Sequence, residues 1–212
     1  TPLDAEESFN ASAGIVLQPT PDLNLTFDFY RIKLKDRVVL TENLPADVVA
    51  PILQGQGITG VDRARFFING IDTRTHGFDI VGSYDYSLGD WGRLNFSAGF
   101  NYNKTKITDE NDLPGPLAAV DPNLDLFGRR ESLRFERGQP RTKTNLSLNW
   151  RWRDLNATIR ATRYGEVLDP GTSAVTDELL SSEIVTDIDV KYQLTDNLGL
   201  SVGVNNLFDV YP

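Results

Sequence analysis

The chain contains no cysteine and no methionine, only one histidine, and no apolar run approaching the roughly 18–20 residues that a membrane-spanning helix needs. Each absence excludes something. Without cysteine there are no disulfides, no thiolate nucleophile and no cysteine-based metal site. One histidine leaves no His-rich ligand set. Without a long apolar run, and with a mean hydropathy of −0.31 and 40% hydrophobic residues, a helical membrane protein is excluded. Positive charge is also in deficit: 21 Lys and Arg stand against 30 Asp and Glu, a net charge of −9. That balance argues against sequence-independent binding of nucleic acid, which relies on cations neutralising phosphates. There is no initiator methionine and no signal peptide, so the 212 residues read as an internal or processed piece of a longer protein.

What is present is alternation. Eight segments, 7–18, 23–40, 64–87, 93–108, 141–153, 155–165, 183–194 and 198–208, set apolar against polar residues with a period of two. In the last, Leu198, Leu200, Val202 and Val204 share one face, while Gly199, Ser201, Gly203 and Asn205 share the other. Leu146, Leu148, Trp150 and Trp152 against Asn145, Ser147, Asn149 and Arg151 repeat it. The joints alternate too: tight after the first, third, fifth and seventh segments, long at 41–63, 109–140 and 166–182. Short turns on one rim and long loops on the other suit an antiparallel up-and-down transmembrane β-barrel segment, and more weakly any soluble β-meander.

Three features favour the membrane over a soluble sandwich. The segments are long, about 11 to 20 residues, against ~5–6 in most soluble strands and ~9–11 needed to cross hydrocarbon with a tilt. Aromatics fall near segment ends, at Tyr30, Tyr84, Tyr86, Trp91, Tyr102, Trp150, Trp152, Tyr164 and Tyr192, as interfacial girdles would. The polar face is rich in small amides and hydroxyls, as a wet lumen wall would be. Because each short turn follows an odd-numbered segment, both ends of the array emerge on the long-loop rim. Its first and last strands then need partners beyond these residues, since hydrocarbon does not tolerate unpaired backbone. The whole of 1–212 is accordingly expected to be one partial barrel domain.

Specific residues extend this reading. Residues 65–80 carry an aromatic-x-Asn stretch, with Phe67 and Asn69, followed by Thr75-His76-Gly77-Phe78-Asp79. Residues 203–212 run Gly-Val-Asn-Asn-Leu-Phe-Asp-Val-Tyr-Pro, and the opening runs Glu7-Ser8-Phe9-Asn10, Gly14, Pro19, then Leu25-Thr26-Phe27-Asp28-Phe29-Tyr30. In content, order and separation these blocks resemble the late barrel strands of TonB-dependent outer-membrane receptors. The motif positions are Asn69, Thr73, Gly77, Asp79, Asn205, Asn206, Leu207, Phe208 and Asp209, and the last five match the family hallmark at the end of the penultimate strand. The resemblance implies a 22-stranded barrel of which this chain supplies strands 14 to 21, without the plug, the first 13 strands or the closing strand. The long joints would be extracellular loops eight, nine and ten.

The resemblance further implies the outer membrane of a Gram-negative bacterium, contact with lipid and lipopolysaccharide, and a TonB complex acting through a plug domain. The cargo would be a scarce small-molecule nutrient, most often a metal chelate such as a ferric siderophore. Such a protein is a transporter, not an enzyme, and needs no cofactor. The residues agree in offering little for catalysis. His76 has no nucleophile motif beside it, and Asp187 and Asp189 on one strand face read as lumen wall. Six Asn-x-Ser/Thr triplets follow from amides and hydroxyls at every second polar position. Loop 109–140 is the candidate for ligand contact. Arg129, Arg130, Arg134 and Arg137 lie within nine residues, interleaved with Phe127, Leu133 and Phe135. Guanidinium groups bind carboxylate and phosphate, and rings offer stacking surface, so an anionic chelate fits. Contacts to lipopolysaccharide phosphates, or ion pairs with Glu131 and Glu136, are the alternatives. Loop 41–63 contains a short helical stretch at 46–50, and loop 166–182 brings Asp177 and Glu178. A passive porin-like channel and a soluble β-sheet binding module remain the competing readings.

Overall fold

The structure, a computed structural model, describes residues 3–61 and 63–211, apart from the side chain of Pro116; Asp62 in the first long loop and Pro212 at the end of the hallmark block lie outside the described residues. Long strands run in chain order as β1 (Glu7–Thr20), β2 (Leu23–Leu40), β3 (Phe67–Ser87), β4 (Arg93–Glu110), β5 (Thr142–Trp152) and β6 (Leu155–Tyr164). A small hairpin follows, β7 (Val167–Asp169) and β8 (Glu178–Leu180), then β9 (Glu183–Thr195) and β10 (Leu198–Val204). The eight long strands form one antiparallel sheet in the order β1-β2-β3-β4-β5-β6-β9-β10, and β7 pairs only with β8. This is a barrel wall that does not close on itself. Among the described residues no helix is long and apolar enough to cross a membrane, so any crossing falls to the strands.

The register shows why the alternation holds. Residues directly opposite one another share a face. One unbroken row runs Leu23, Tyr84, Phe96, Leu148, Ile159, Ile188 and Val204 across seven strands. The row beside it on the other face runs Asn24, Ser83, Ser97, Ser147, Arg160 and Asp187. At the short-turn rim Trp150 and Trp152 stack with centroids 5.9 Å apart, and Trp91 stacks on Trp152 at 5.8 Å. Their indole N–H groups donate to the carbonyls of Trp91 (2.9 Å) and Asp90 (3.0 Å). An apolar body with a satisfied polar tip is what an interface requires. Two of the nine aromatics depart from the expected girdle. Tyr30 sits opposite Gly77, and Tyr164 opposite Lys143 and thereby Asn101, so both face the polar side.

Segment ends shift for local reasons. The third segment starts as strand at Phe67, since Ala64 makes only an isolated bridge to Leu44. The eighth stops at Val204, so the hallmark asparagines do not end a strand as the sequence suggested. They form a turn, with Asn206 at φ 51° and Asp209 at φ 54°. The long connections fold. Loop 41–63 contains α1 (Ala46–Gly55), longer than the expected stretch. The loop between β4 and β5 contains the single turn α2 (Gly115–Ala118) and the helix α3 (Arg129–Arg137). Val48 and Val49 of α1, Leu117, Leu126 and Phe127 join Val39, Leu44, Ile68 and Ile71 in a cluster of buried apolar side chains. The core therefore lies at the long-loop rim and not in the sheet, whose apolar face stays open.

Candidate functional site on the long-loop rim

Helix α3 has a sequence suited to its place. Glu131 lies in its first turn, and Arg134 and Arg137 lie in its last, which complements the helix dipole. The Ser132 hydroxyl donates to the Phe127 carbonyl (2.8 Å), tying the helix to the segment before it. Arg130, Arg134 and Arg137 share one face of the helix by their i, i+4, i+7 spacing, whereas Arg129 is turned about 100° away, so the basic run splits between two directions.

Glu131 is the hub. It is a buried carboxylate, with Arg134 at 3.1 Å, Arg65 from the end of the first loop at 3.3 Å and Arg130 at 3.9 Å. Arg65 also donates through Nε to the Thr41 carbonyl (2.7 Å), tying the two ends of the first loop together, while its contact with Glu131 joins that loop to α3. Arg129 reaches the other way and makes a two-pronged contact with Asp177 beside the β7–β8 hairpin, one prong 3.0 Å long. This hydrogen bonding is the main cause holding the Asp177 carboxyl below its ordinary value, with a further contribution from the Gly171 N–H. Arg137 lies 3.8 Å from Glu166. Glu136, expected as an arginine partner, instead accepts the Ile107 N–H (3.1 Å).

All four sequence-selected arginines thus have carboxylate partners, and three partners come from outside the helix or from its buried side. The two phenylalanines take core roles. Phe127 is 3% exposed and packs on Phe135 with centroids 5.4 Å apart, while the Arg37 guanidinium lies 4.8 Å over the Phe135 ring. Stacking on a ligand, the role the sequence suggested, is closed to Phe127 by its burial. Arg129 and Arg130 do line a hollow of about 330 Å³, together with Glu42, Asn43, Arg63, Glu131 and Thr172. Arg137 lines a separate one with Tyr102, Arg141 and Glu166. Sequence reasoning missed Arg63, Arg65 and Glu42 because they lie some 65 to 90 residues before α3. Only the position of Glu131 between Arg130 and Arg134 gave a local signal.

The motif residues hold the wall together. The Asn69 amide pairs with Asp4 in both directions, accepting its N–H and donating to its carbonyl at 2.9 Å each, and donates again to the Asp36 carbonyl (2.6 Å). Asp36 is a bulge residue with φ 53°. Thr73 is buried. A Cβ at Gly77 would lie 2.3 Å from the Tyr102 carbonyl oxygen and 2.5 Å from the Tyr30 hydroxyl, so the Tyr30 ring occupies the space a side chain would need. The Asp79 carboxylate accepts from the Asn101 amide (2.6 Å). In the hallmark block, Asn206 donates to the Val210 carbonyl and accepts the Val210 N–H, both at 3.0 Å. Its own N–H reaches Asp187, and that of Leu207 reaches the Thr186 carbonyl. Asp209 donates its N–H to the Asn206 carbonyl; Asn205 and Phe208 are exposed.

Comparison with known proteins agrees with this architecture. The family model described as TonB dependent receptor-like, beta-barrel, matches residues 1–207. No curated protein sequence matches the chain. Among solved structures, the FrpB iron transporter from Neisseria meningitidis superposes with a TM-score of 0.63 at 16% identity, over 97% of this chain and 26% of that one. The copper transporter OprC gives 0.63 at 16% identity over 99% and 26%. The ferric enterobactin receptor PfeA from Pseudomonas aeruginosa gives 0.62 at 19% identity over 98% and 26%. The chain spans about a quarter of the length of these relatives, and the likeness is one of fold. A meander of this register, matched by the family model over nearly all its length, belongs to the β-barrel of the TonB-dependent receptors.

Proposed function

We propose that the chain is wall, rim and three extracellular loops of an outer-membrane receptor that imports a ferric siderophore in a Gram-negative bacterium. Energy would enter through a TonB complex acting on a plug domain, and the protein would be a transporter and not an enzyme. The observation that carries this reading is the eight-stranded meander with folded loops confined to one rim, within the receptor family. Iron transporters and ferric siderophore receptors among the relatives of the same fold support iron as the cargo.

The ligand contact we assign is the hollow lined by Arg63, Arg129 and Arg130, not the whole arginine run. Arg130 is the loosest partner of Glu131, at 3.9 Å, so it can turn to an anionic chelate while Arg65 and Arg134 keep Glu131 neutralised. The test is the full-length receptor carrying Arg63→Gln and Arg130→Gln. Charge-assisted hydrogen bonds contribute roughly 1.5–3 kcal/mol each, so affinity for the ferric siderophore should fall about 100-fold or more at unchanged surface expression. Wild-type affinity and uptake in this variant would move the capture site elsewhere.

A further inference from the structure

The hollow between the first loop and α3 is polar on every side. Arg63, Arg129 and Arg130 line it with Glu42, Asn43, Glu131 and Thr172, and among the described residues neither a ring nor an aliphatic side chain reaches it. The rings nearest α3 are committed elsewhere: Phe127 is buried against Phe135, and the Arg37 guanidinium lies over Phe135. A volume of about 330 Å³ stands near the lower end of the ~300–1,000 Å³ of small-molecule pockets, which suits a compact ligand.

The arginines of this wall already hold carboxylates. Asp177 meets Arg129 through both of its oxygens, and Glu131 stands 3.9 Å from Arg130. A planar guanidinium fork matches a carboxylate in geometry and charge, so these contacts show which group fits. Arg63 has no carboxylate within ion-pair distance among the described residues, and Arg65 and Arg134 keep Glu131 neutralised. Glu42 adds a second requirement. Its carboxylate lies against Gly128 at the N-terminus of α3, where the helix dipole stabilises it, and there it serves as an acceptor for a hydroxyl or amide N–H.

Each class of ferric chelate meets this wall differently. Three singly charged hydroxamates cancel the charge of the ferric ion, and a neutral complex gains little from guanidiniums. Three catecholates leave an anionic complex, but their ring faces find no stacking partner in this hollow. Polycarboxylates combine negative charge with a wholly polar surface. Resting on the capture site proposed above, we infer that the cargo is a polycarboxylate chelate of ferric iron. Arg63 and Arg130 take its carboxylates, and Glu42 takes a hydroxyl or amide of its backbone.

The test measures binding of four ferric complexes to the full-length receptor in detergent: those of citrate, of a bis-citryl diamine, of a tris-catecholate and of a tris-hydroxamate. One of the two polycarboxylates is expected to bind at least about tenfold more tightly than the catecholate and the hydroxamate. Arg63→Lys with Arg130→Lys keeps both charges but removes the forks, and is expected to erase most of that preference. Equal or tighter binding of the catecholate or the hydroxamate by wild type overturns the inference without any variant and leaves the siderophore reading standing. So does a preference undiminished in the lysine variant, which puts the selectivity outside this hollow. Binding of none of the four complexes rejects the siderophore reading itself, and this inference with it.

Discussion

Asn69 and Asn206 use one device: a side-chain amide, which carries a donor and an acceptor side by side, substitutes for a backbone partner where the ladder has stopped. Asn206 also adopts φ 51°, which asparagine tolerates better than most residues. Asn206→Ala removes two hydrogen bonds and leaves alanine in the left-handed region. At about 1 kcal/mol per bond plus the backbone cost, the variant should be less stable by about 2–3 kcal/mol. Asn206→Gly relieves the backbone but not the bonds and should fall between. Urea unfolding of the full-length barrel in micelles measures both, and an alanine variant as stable as wild type would remove the clasp from the account.

The Arg129–Asp177 contact is also a matter of single residues, and it has a pH signature. Arg129 holds the Asp177 carboxyl below its ordinary value, so the contact contributes fully above the unfolded carboxylate value of about 3.9. It is lost as pH falls through the lower, folded value. Amide exchange in β7 and β8, corrected for intrinsic rates, should therefore speed up below about pH 4. Asp177→Asn should show the faster exchange at every pH and lose the acid dependence.

At the scale of elements, the pleat fixes which side chains can meet lipid. Leu148, Leu200 and Val202 lie on the apolar face, Ser147 and Ser201 on the other. Spin labels at the first three in the membrane-embedded receptor should report lipid, and labels at the two serines should be reached by water-soluble relaxing agents. A slip of one residue reverses the pattern, so equal accessibility of the two sets would contradict the barrel wall. Helix α3 is the element that sequence pattern concealed. Its arginines looked like one basic loop, but Arg130 and Arg134, one helical turn apart, both turn to Glu131, and Arg129 faces the β7–β8 hairpin.

The whole molecule is an open wall. Every residue of β1 is exposed, β10 is exposed throughout, and the large apolar residues of the outer face remain uncovered. Unpaired edge backbone and a contiguous apolar face both drive association. The isolated 212-residue chain should therefore form aggregates or detergent-dependent oligomers in size-exclusion chromatography. A monodisperse monomer with cooperative unfolding in plain buffer would instead support a soluble module.

The period-two pattern and the alternation of short and long joints determined the strands, their order and their two faces, because backbone pleating and turn length are local properties readable from neighbouring residues. The motif asparagines were legible as positions but not as clasps, since their partners Asp4, Asp36 and Asp187 are set by strand ends and a bulge. Tyr30 looked like a girdle residue until the register laid its ring over Gly77. The rim was decided only by tertiary structure. Arg65 and Arg134 meet at Glu131, and Arg31 stands level with Lys104, because antiparallel pairing and loop packing bring together residues some 65 to 75 positions apart, a distance that no local pattern encodes.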